Sequence, residues 1–388
     1  MNVGGTEHCY GCGLCAAVCR RGVIEMKENE DGFYEPSIEK PELCTDCGLC
    51  LKVCAWNDGS AQPSFTQPLK SFAAWSNDAG VRWECSSGGV AFELERTMIA
   101  DGYTVCAARY SVERNIVEHY IANTEEELMQ SVGSKYLQSL TTEGFRAVKP
   151  RGKNVVVGTP CQIDGMRRWT RLIGKEDNFL FVDFFCHGVP SRKLWNKYLA
   201  EVERHTGKAK SVSWRSKKFG WHDSWLMEID GDSHAECRWT RGDAFFTLFL
   251  SDQCLGKACY ERCRYKYNCS SADVRLGDMW GNTMREDDNG VSAVVAFTQK
   301  GLDVLLKTNC TLKEMPFDTV AEGQMKTSPK RNKLHRKFRR MLADDKSSTA
   351  DMLRALYRYR KRQKFLGPLL NPKRTIRNII FKRILRKR

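Results

Sequence analysis

From about residue 72 the apolar positions alternate between two periods. Runs at 103–108 and 116–121 have the spacing of strands, 154–158 reads as a short buried strand, and 179–185 as another. Between them, 162–172 has helical spacing. Leu194, Tyr198, Leu199 and Val202 share one face of a helix that Ser191 caps and that runs to about His205. Thr124-Glu125-Glu126-Glu127 predicts a capping box at a helix start. From 211 to 297 the pattern is one of short strands and loops. Strands alternating with helices predict an α/β layer.

The first 62 residues lack that alternation. Their organising feature is Cys9, Cys12, Cys15 and Cys19, repeated at Cys44, Cys47, Cys50 and Cys54 with the same C-x2-C-x2-C-x3-C spacing. This is the ligand run of a bacterial two-cluster ferredoxin, in which the fourth cysteine of each run serves the other cluster. One cluster then takes Cys9, Cys12, Cys15 and Cys54, and the second takes Cys44, Cys47, Cys50 and Cys19. Gly11, Gly13 and Gly48 let the backbone approach the sulfur atoms. Zinc knuckles use C-x2-C pairs without this triplet, and a disulfide framework suits shorter, secreted chains. Arg20 and Ala55 follow the fourth cysteines, where the ferredoxin run has proline. Residues 62–68, with Pro63 and Pro68, read as a linker.

Composition changes the picture in two places. With 388 residues the chain has room for more than one domain. Eighteen cysteines without a signal-peptide pattern predict a reduced, cytoplasmic setting with thiols kept for metal. No apolar run approaches the ~18 residues that would span a bilayer. The net charge of +15 is a property of the C-terminal end: from Lys330 onward, 22 Lys/Arg face only Asp344, Asp345 and Asp351, leaving the remainder at −4. In the last stretch, Ile376, Ile379, Ile380 and Ile384 oppose Arg377, Lys382, Arg383, Arg386, Lys387 and Arg388. A basic amphipathic helix of this kind predicts attachment to an anionic membrane surface at its inner face. An acidic protein partner is the alternative, and the body carries no motif for specific nucleic-acid binding.

Candidate chemistry in the body begins at Ser86-Ser87-Gly88-Gly89, which opens a helix and offers backbone amides to a phosphate; a capped helix start without a ligand reads the same way. Gly133-Ser134-Lys135-Tyr136 combines a cation with an aromatic ring, suited to a flavin or to a solvated helix face. Cys161 and His187, with Cys186 before it, follow the ends of consecutive strands, where ligands gather in α/β folds. Cys254, Cys259, Cys263 and Cys269 come later, each also readable as a small buried hydrophobe.

Taken in order, Ser86–Gly89, 133–139, Gly158-Thr159-Pro160-Cys161-Gln162, Phe185–Ser191 and Ala272–Gly281 resemble the family of coenzyme F-420 hydrogenase/dehydrogenase beta subunits, whose flavoprotein module often follows a two-cluster ferredoxin domain. The resemblance implies FAD and a third 4Fe–4S cluster, for three clusters in all. Its ligands carry over to Cys161, Cys186, Cys259 and Cys263, although the last pair is one residue longer than the family's C-x2-C and leaves Cys254 or Cys269 as substitutes for Cys259. Read from the residues themselves, Lys135 is a candidate to neutralise the flavin or a substrate anion, and His187 is a candidate proton donor, although a lone histidine is more often a satisfied structural residue.

The expected architecture is therefore α+β. A 2×4Fe–4S ferredoxin-like module (1–62) precedes an α/β flavin-binding catalytic domain (63–345) and a basic helical tail (346–388). The expected activity is an iron–sulfur flavoprotein oxidoreductase, passing electrons between an external carrier or redox partner and a soluble acceptor, either F-420 or a sugar- or polysaccharide-related compound. The alternative is a non-catalytic electron-transfer subunit of a larger redox complex.

Overall fold

A computed structural model describes residues 2–57 and 63–370. In the N-terminal module, β1 (Ile24–Glu28) pairs antiparallel with β2 (Tyr34–Ile38). The Asn29 carboxamide oxygen closes their turn, accepting from the amides of Asp31 and Phe33 at 3.0 Å. Each cysteine run enters a short helix, Leu14–Val18 or Leu49–Lys52, through a left-handed residue, Gly13 (φ 75°) or Gly48 (φ 68°). A side chain is strained in that conformation, so the glycines set the direction in which the cysteine loops lead into their helices.

The body is built on a mixed sheet of β3 (Lys70–Ser76), β4 (Thr104–Ser111), β5 (Ile116–Ala122), β6 (Ser139–Leu140), β7 (Asn154–Val157), β8 (Phe179–Phe184) and three later strands. A separate antiparallel meander holds β9 (Ser211–Ser213), β10 (Leu226–Asp230) and β11 (His234–Arg238). The main sheet resumes with β12 (Val274–Asp278), β13 (Ser292–Ala296) and β14 (Cys310–Glu314). Its order is β14-β3-β13-β12-β8-β7-β4-β5-β6. The centre, β12-β8-β7-β4, is parallel; β13, β3 and β14 extend one side antiparallel and β5 the other. The strands read at 103–108, 116–121, 154–158 and 179–185 all lie in this sheet. Its antiparallel flanks go beyond simple alternation.

Successive side chains of a strand point to opposite faces. Val105, Val155, Leu180 and Val182 accordingly pack with Leu94 and Met98 of the helix Val90–Ala100. Cys106, Val156, Phe179 and Phe181 face the other way, toward Ile163 and Met166 of the helix Pro160–Leu172. Leu14 and Val53 of the N-terminal module belong to that second cluster, so the module is docked on the sheet layer. Burying a leucine side chain such as Leu14 contributes roughly 1.5–3 kcal/mol. The helix Pro160–Leu172 meets it with Gly165, where a Cβ would lie 3.1 Å from Leu14 Cγ.

The helix start at Thr159 has both halves of a capping box, with Gln162 Oε1 accepting from the Thr159 amide at 2.8 Å. At Thr124 only half forms. Thr124 Oγ1 accepts from the Glu127 amide, but the Glu127 carboxylate is taken by the Asn123 amide at 2.7 Å, and the helix is the single turn Glu125–Leu128. The helices Lys333–Ala343 and Thr349–Leu370 bury Leu334, Phe338, Leu342, Met352 and Leu356 against the body. The basic amphipathic segment expected at 375–388 lies outside the described residues. Among the described residues no helix is long and apolar enough to cross a membrane.

Candidate iron–sulfur and cofactor site

Cys9, Cys12, Cys15 and Cys54 line one void of about 20 Å³. The fourth residue comes from the second run because the Leu49–Lys52 helix carries it back across the module. Cys50 lies within electrostatic reach of Cys47 and Cys19, and Cys19, Cys44 and Cys50 pack in one cluster. Cys47 is exposed. The Gly11 amide points at Cys9 Sγ, 3.1 Å away. Burial pushes the Cys9 thiol up to about 12 and the Cys15 thiol well above its ordinary value. Thiols so desolvated keep their protons unless a cation takes the proton's place. A thiol set around one void, with an amide directed at sulfur, fits an iron–sulfur cluster.

A second void, of about 30 Å³, is lined by Cys161, Cys186, Cys259 and Cys263, with Tyr10 and Gly11 of the N-terminal module on its wall. Cys161 opens the helix after β7 and Cys186 follows β8, so the carboxyl ends of two parallel strands supply half the set. Lys266 braces this corner, its ammonium donating to the carbonyls of Cys186 (2.7 Å) and His187 (2.9 Å). Glu261, between Cys259 and Cys263, is left-handed at φ 57°, a tight turn that takes up the extra residue of this pair. Cys254 instead packs in the apolar cluster around Trp195, and Cys269 Sγ turns to the side chain of Asn268; neither lines the void. Four soft thiols on one void fit a third cluster.

The third space is a cavity of about 910 Å³. It shares Ser139, Thr159, Gln162, Cys186, Gly188 and Lys266 with the second void. Ser86, Ser87 and Gly89 are on its wall, as are Gly133, Ser134, Lys135, Tyr136 and His187. The two motifs touch: Ser86 Oγ accepts from the Ser134 amide at 2.9 Å. Gly88 sits behind them, its amide donating to Ser292 Oγ at 3.0 Å, and a Cβ there would be 2.4 Å from the Ala74 carbonyl oxygen. The helix Val90–Ala100 begins at Gly89 (φ 82°) with no side-chain cap, leaving amides of its first turn for an anion.

Half-buried Lys135 spends its ammonium on the carbonyls of Ser131 (2.5 Å), Val132 (3.0 Å) and Gly133 (2.9 Å), and desolvation lowers it to about 7. His187 Nε2 bonds Asp252 Oδ1 at 2.7 Å, with its ring against Phe249. His222, at the cavity mouth, bonds the Arg285 carbonyl at 2.9 Å. Tyr136 stacks on Trp225. Arg215, which sequence reasoning did not single out, is buried between Trp225 and Trp280, pairs with both oxygens of Asp278 (3.1 and 3.3 Å) and donates to the Tyr136 hydroxyl at 3.2 Å. No local motif marks Arg215 or Lys266, because their partners are far away in the chain. Uncapped amides at one end, aromatic rings along the wall and a volume in the usual range for cofactor pockets fit a dinucleotide flavin such as FAD.

Residues 152–316 match the family model for the C terminus of the coenzyme F420 hydrogenase/dehydrogenase beta subunits, and residues 8–57 match that of the 4Fe-4S dicluster domain. The chain is 27% identical over 241 residues to the F subunit of F(420)H(2) dehydrogenase from Methanosarcina mazei, a match over 58% of this chain and 66% of the relative. It thus spans just under two thirds of that curated protein. Among solved structures, a chain of the F420-reducing NiFe hydrogenase complex from Methanosarcina barkeri is similar at 16% identity and a TM-score of 0.47, covering 79% of this chain and 96% of that one.

Proposed function

We propose that this chain, whose residues 8–57 match the 4Fe-4S dicluster domain and whose residues 152–316 match the C terminus of the coenzyme F420 hydrogenase/dehydrogenase beta subunits, is an iron–sulfur electron-transfer subunit of a redox complex of that type. The observation that carries the reading is the shared wall between the Cys161/Cys186/Cys259/Cys263 void and the 910 Å³ cavity, with Tyr10 and Gly11 joining the same void to the N-terminal module. Three thiol sets would hold three 4Fe–4S clusters, the third of them against the cavity and one of the other two including exposed Cys47.

In the finer form of the proposal the cavity holds FAD, which when bound exchanges an electron pair with an acceptor and single electrons with clusters. The amides after Gly89 would hold its pyrophosphate, and Tyr136, Trp225 and Phe249 would offer flat apolar surface to a ring system. Lys135 holds the 131–133 turn against the cavity, and Arg215 fixes Tyr136 and Asp278. The name of the curated relative, a subunit of an F(420)H(2) dehydrogenase, supports F-420 as the soluble redox partner, in its reduced or oxidised form. Exposed Lys333, Arg336, Lys337 and Arg340 recur along one face of the Lys333–Ala343 helix without an acidic partner among the described residues, which supports docking on an anionic surface.

Anaerobic purification with iron, sulfide and flavin analysis tests this directly. About 12 irons and one FAD per chain are expected. About eight irons without flavin would end the cavity reading and leave the dicluster carrier, and a colourless, iron-free protein would end both.

A further inference from the structure

The helix Val90–Ala100 contributes more to the cavity than its first turn. Five residues further on, Glu95 stands on the same wall, 4% exposed. Its neighbour Glu93, also buried, is fully engaged, accepting from Arg96 at 2.7 and 2.9 Å and from Ser76 Oγ. Glu95 has no such partners. Among the described residues its carboxyl forms no ion pair and accepts one long hydrogen bond, 3.5 Å from Ser131 Oγ. A buried carboxyl with so little satisfaction is costly as a structural element, and open to whatever occupies the cavity.

The groups that face Glu95 come from three other segments. Lys135 and Ser131 belong to the turn after β5, Cys85 to the loop before the helix, and Tyr120 to β5. Burial raises Glu95 to about 8, with Lys135 opposing the shift. Burial also raises Cys85 and Tyr120 to about 12, so neither of these releases a proton near neutral pH.

We propose that Glu95 is the proton donor of the cavity, supplying the proton that accompanies an electron pair taken up by a flavin-class acceptor bound beside it. The proposal rests on reading the cavity as a redox-cofactor site. The Glu95 O–H bond would break and a new bond to hydrogen would form on the two-electron-reduced flavin, the electron pair coming from an external reductant, dithionite in the test, by way of the iron–sulfur groups that the thiol sets would hold. The carboxylate left behind regains its proton from solvent; Lys135, which desolvation lowers to about 7, is the other group on this wall that titrates near neutral pH, and Glu95→Gln leaves it in place.

The test uses anaerobically purified holoprotein with its co-purified flavin, reduced by dithionite in a stopped-flow instrument. Wild type should slow about tenfold per pH unit above about pH 8, as the protonated fraction of Glu95 falls. Glu95→Gln keeps the shape but carries no acidic proton. It should bind flavin as wild type does, reduce it about 100-fold more slowly at pH 7, and lose the pH dependence. Glu95→Asp should restore part of the rate and the pH profile. Equal rates and profiles in wild type and Glu95→Gln overturn the role of Glu95 while leaving the flavin reading intact; wild type without flavin removes both. If Glu95→Gln does not fold, wild type alone decides by infrared spectroscopy. A buried carboxylic-acid band at pH 7 that disappears above about pH 8 is expected, and its absence overturns the proposal.

Discussion

Gln138 holds both hydrogen-bonding groups of the Tyr34 backbone, its Oε1 accepting from the Tyr34 amide at 2.7 Å and its Nε2 donating to the Tyr34 carbonyl at 3.2 Å. The contact ties the body to the cysteine module across 104 residues of sequence. It also holds the module close. A Cβ on Gly11 would fall 1.8 Å from Gln138 Nε2 and 2.5 Å from the Tyr34 carbonyl oxygen, a backbone atom, and its φ is +66°, so this position must be glycine. Gln138→Leu keeps the volume but leaves a buried donor and acceptor unpaired, each costing about 1–3 kcal/mol. We expect a loss of about 2–4 kcal/mol, read as earlier urea unfolding and faster amide exchange in 9–54 of the anaerobic holoprotein. Unchanged exchange there would mean the clamp is not what docks the module.

The third thiol set predicts a clear contrast between neighbours. Cys259→Ser should lower iron from about 12 to about eight per chain, because one cluster loses a ligand. Cys254→Ala should leave iron unchanged and cost only packing, roughly 1 kcal/mol for a small buried side chain. Metal analysis of the two variants, purified side by side, decides between the cysteines. Iron loss in Cys254→Ala with none in Cys259→Ser would reverse the assignment.

These two cases show what the sequence could and could not convey. The cysteine runs were legible because cluster ligation is local, written in spacings of two and three residues. The central strands were legible because Val155, Val156, Leu180 and Phe181 are buried on both faces and read as continuous apolar runs. Gln138 was visible only as part of a motif, since its partner Tyr34 is distant and a glutamine carries no periodic signal. Arg215 and Lys266 were silent for the same reason. The spacing of Cys259 and Cys263 looked like a defect until the left-handed turn at Glu261 supplied its geometry. The antiparallel flank of β13, β3 and β14 depends on β3 inserting between strands more than two hundred residues later, a pairing no local window contains.

His119 gives a pH prediction. It lines the cavity at 4% exposure, its Nε2–H donates to the Val157 carbonyl at 3.0 Å, and Nδ1 is buried without a partner among the described residues. Burial lowers it to about 4 from its ordinary 6.5. Between those values the unfolded chain binds more protons than the folded one, so stability rises with pH through this window and is lost on acidification. At pH 5 the loss from this group is about 2 kcal/mol. His119→Gln can still donate to Val157 but does not titrate. Its urea midpoint should therefore fall less than that of wild type between pH 7.5 and pH 5. Equal falls in the two proteins would show that His119 is not desolvated.

The start of the helix Val90–Ala100 offers the sharpest separation of cofactor binding from cluster binding. A Cβ on Gly88 would meet the Ala74 carbonyl oxygen at 2.4 Å and the Ser292 amide nitrogen at 2.8 Å, both backbone atoms that cannot swing aside. Gly88→Ala must therefore displace the 86–89 loop, carrying the uncapped amides away from the cavity wall. Gly133→Ala is the control. Its φ of 84° imposes about 1–2 kcal/mol of strain, but nothing lies within 4 Å of the added carbon. Flavin released by acid and measured by fluorescence should drop at least about tenfold in Gly88→Ala, the loss of about 1.4 kcal/mol or more of binding, and far less in Gly133→Ala. Iron should stay near about 12 per chain in both, because neither glycine touches a thiol void. Full flavin retention in a folded Gly88→Ala protein would move the phosphate site elsewhere in the cavity.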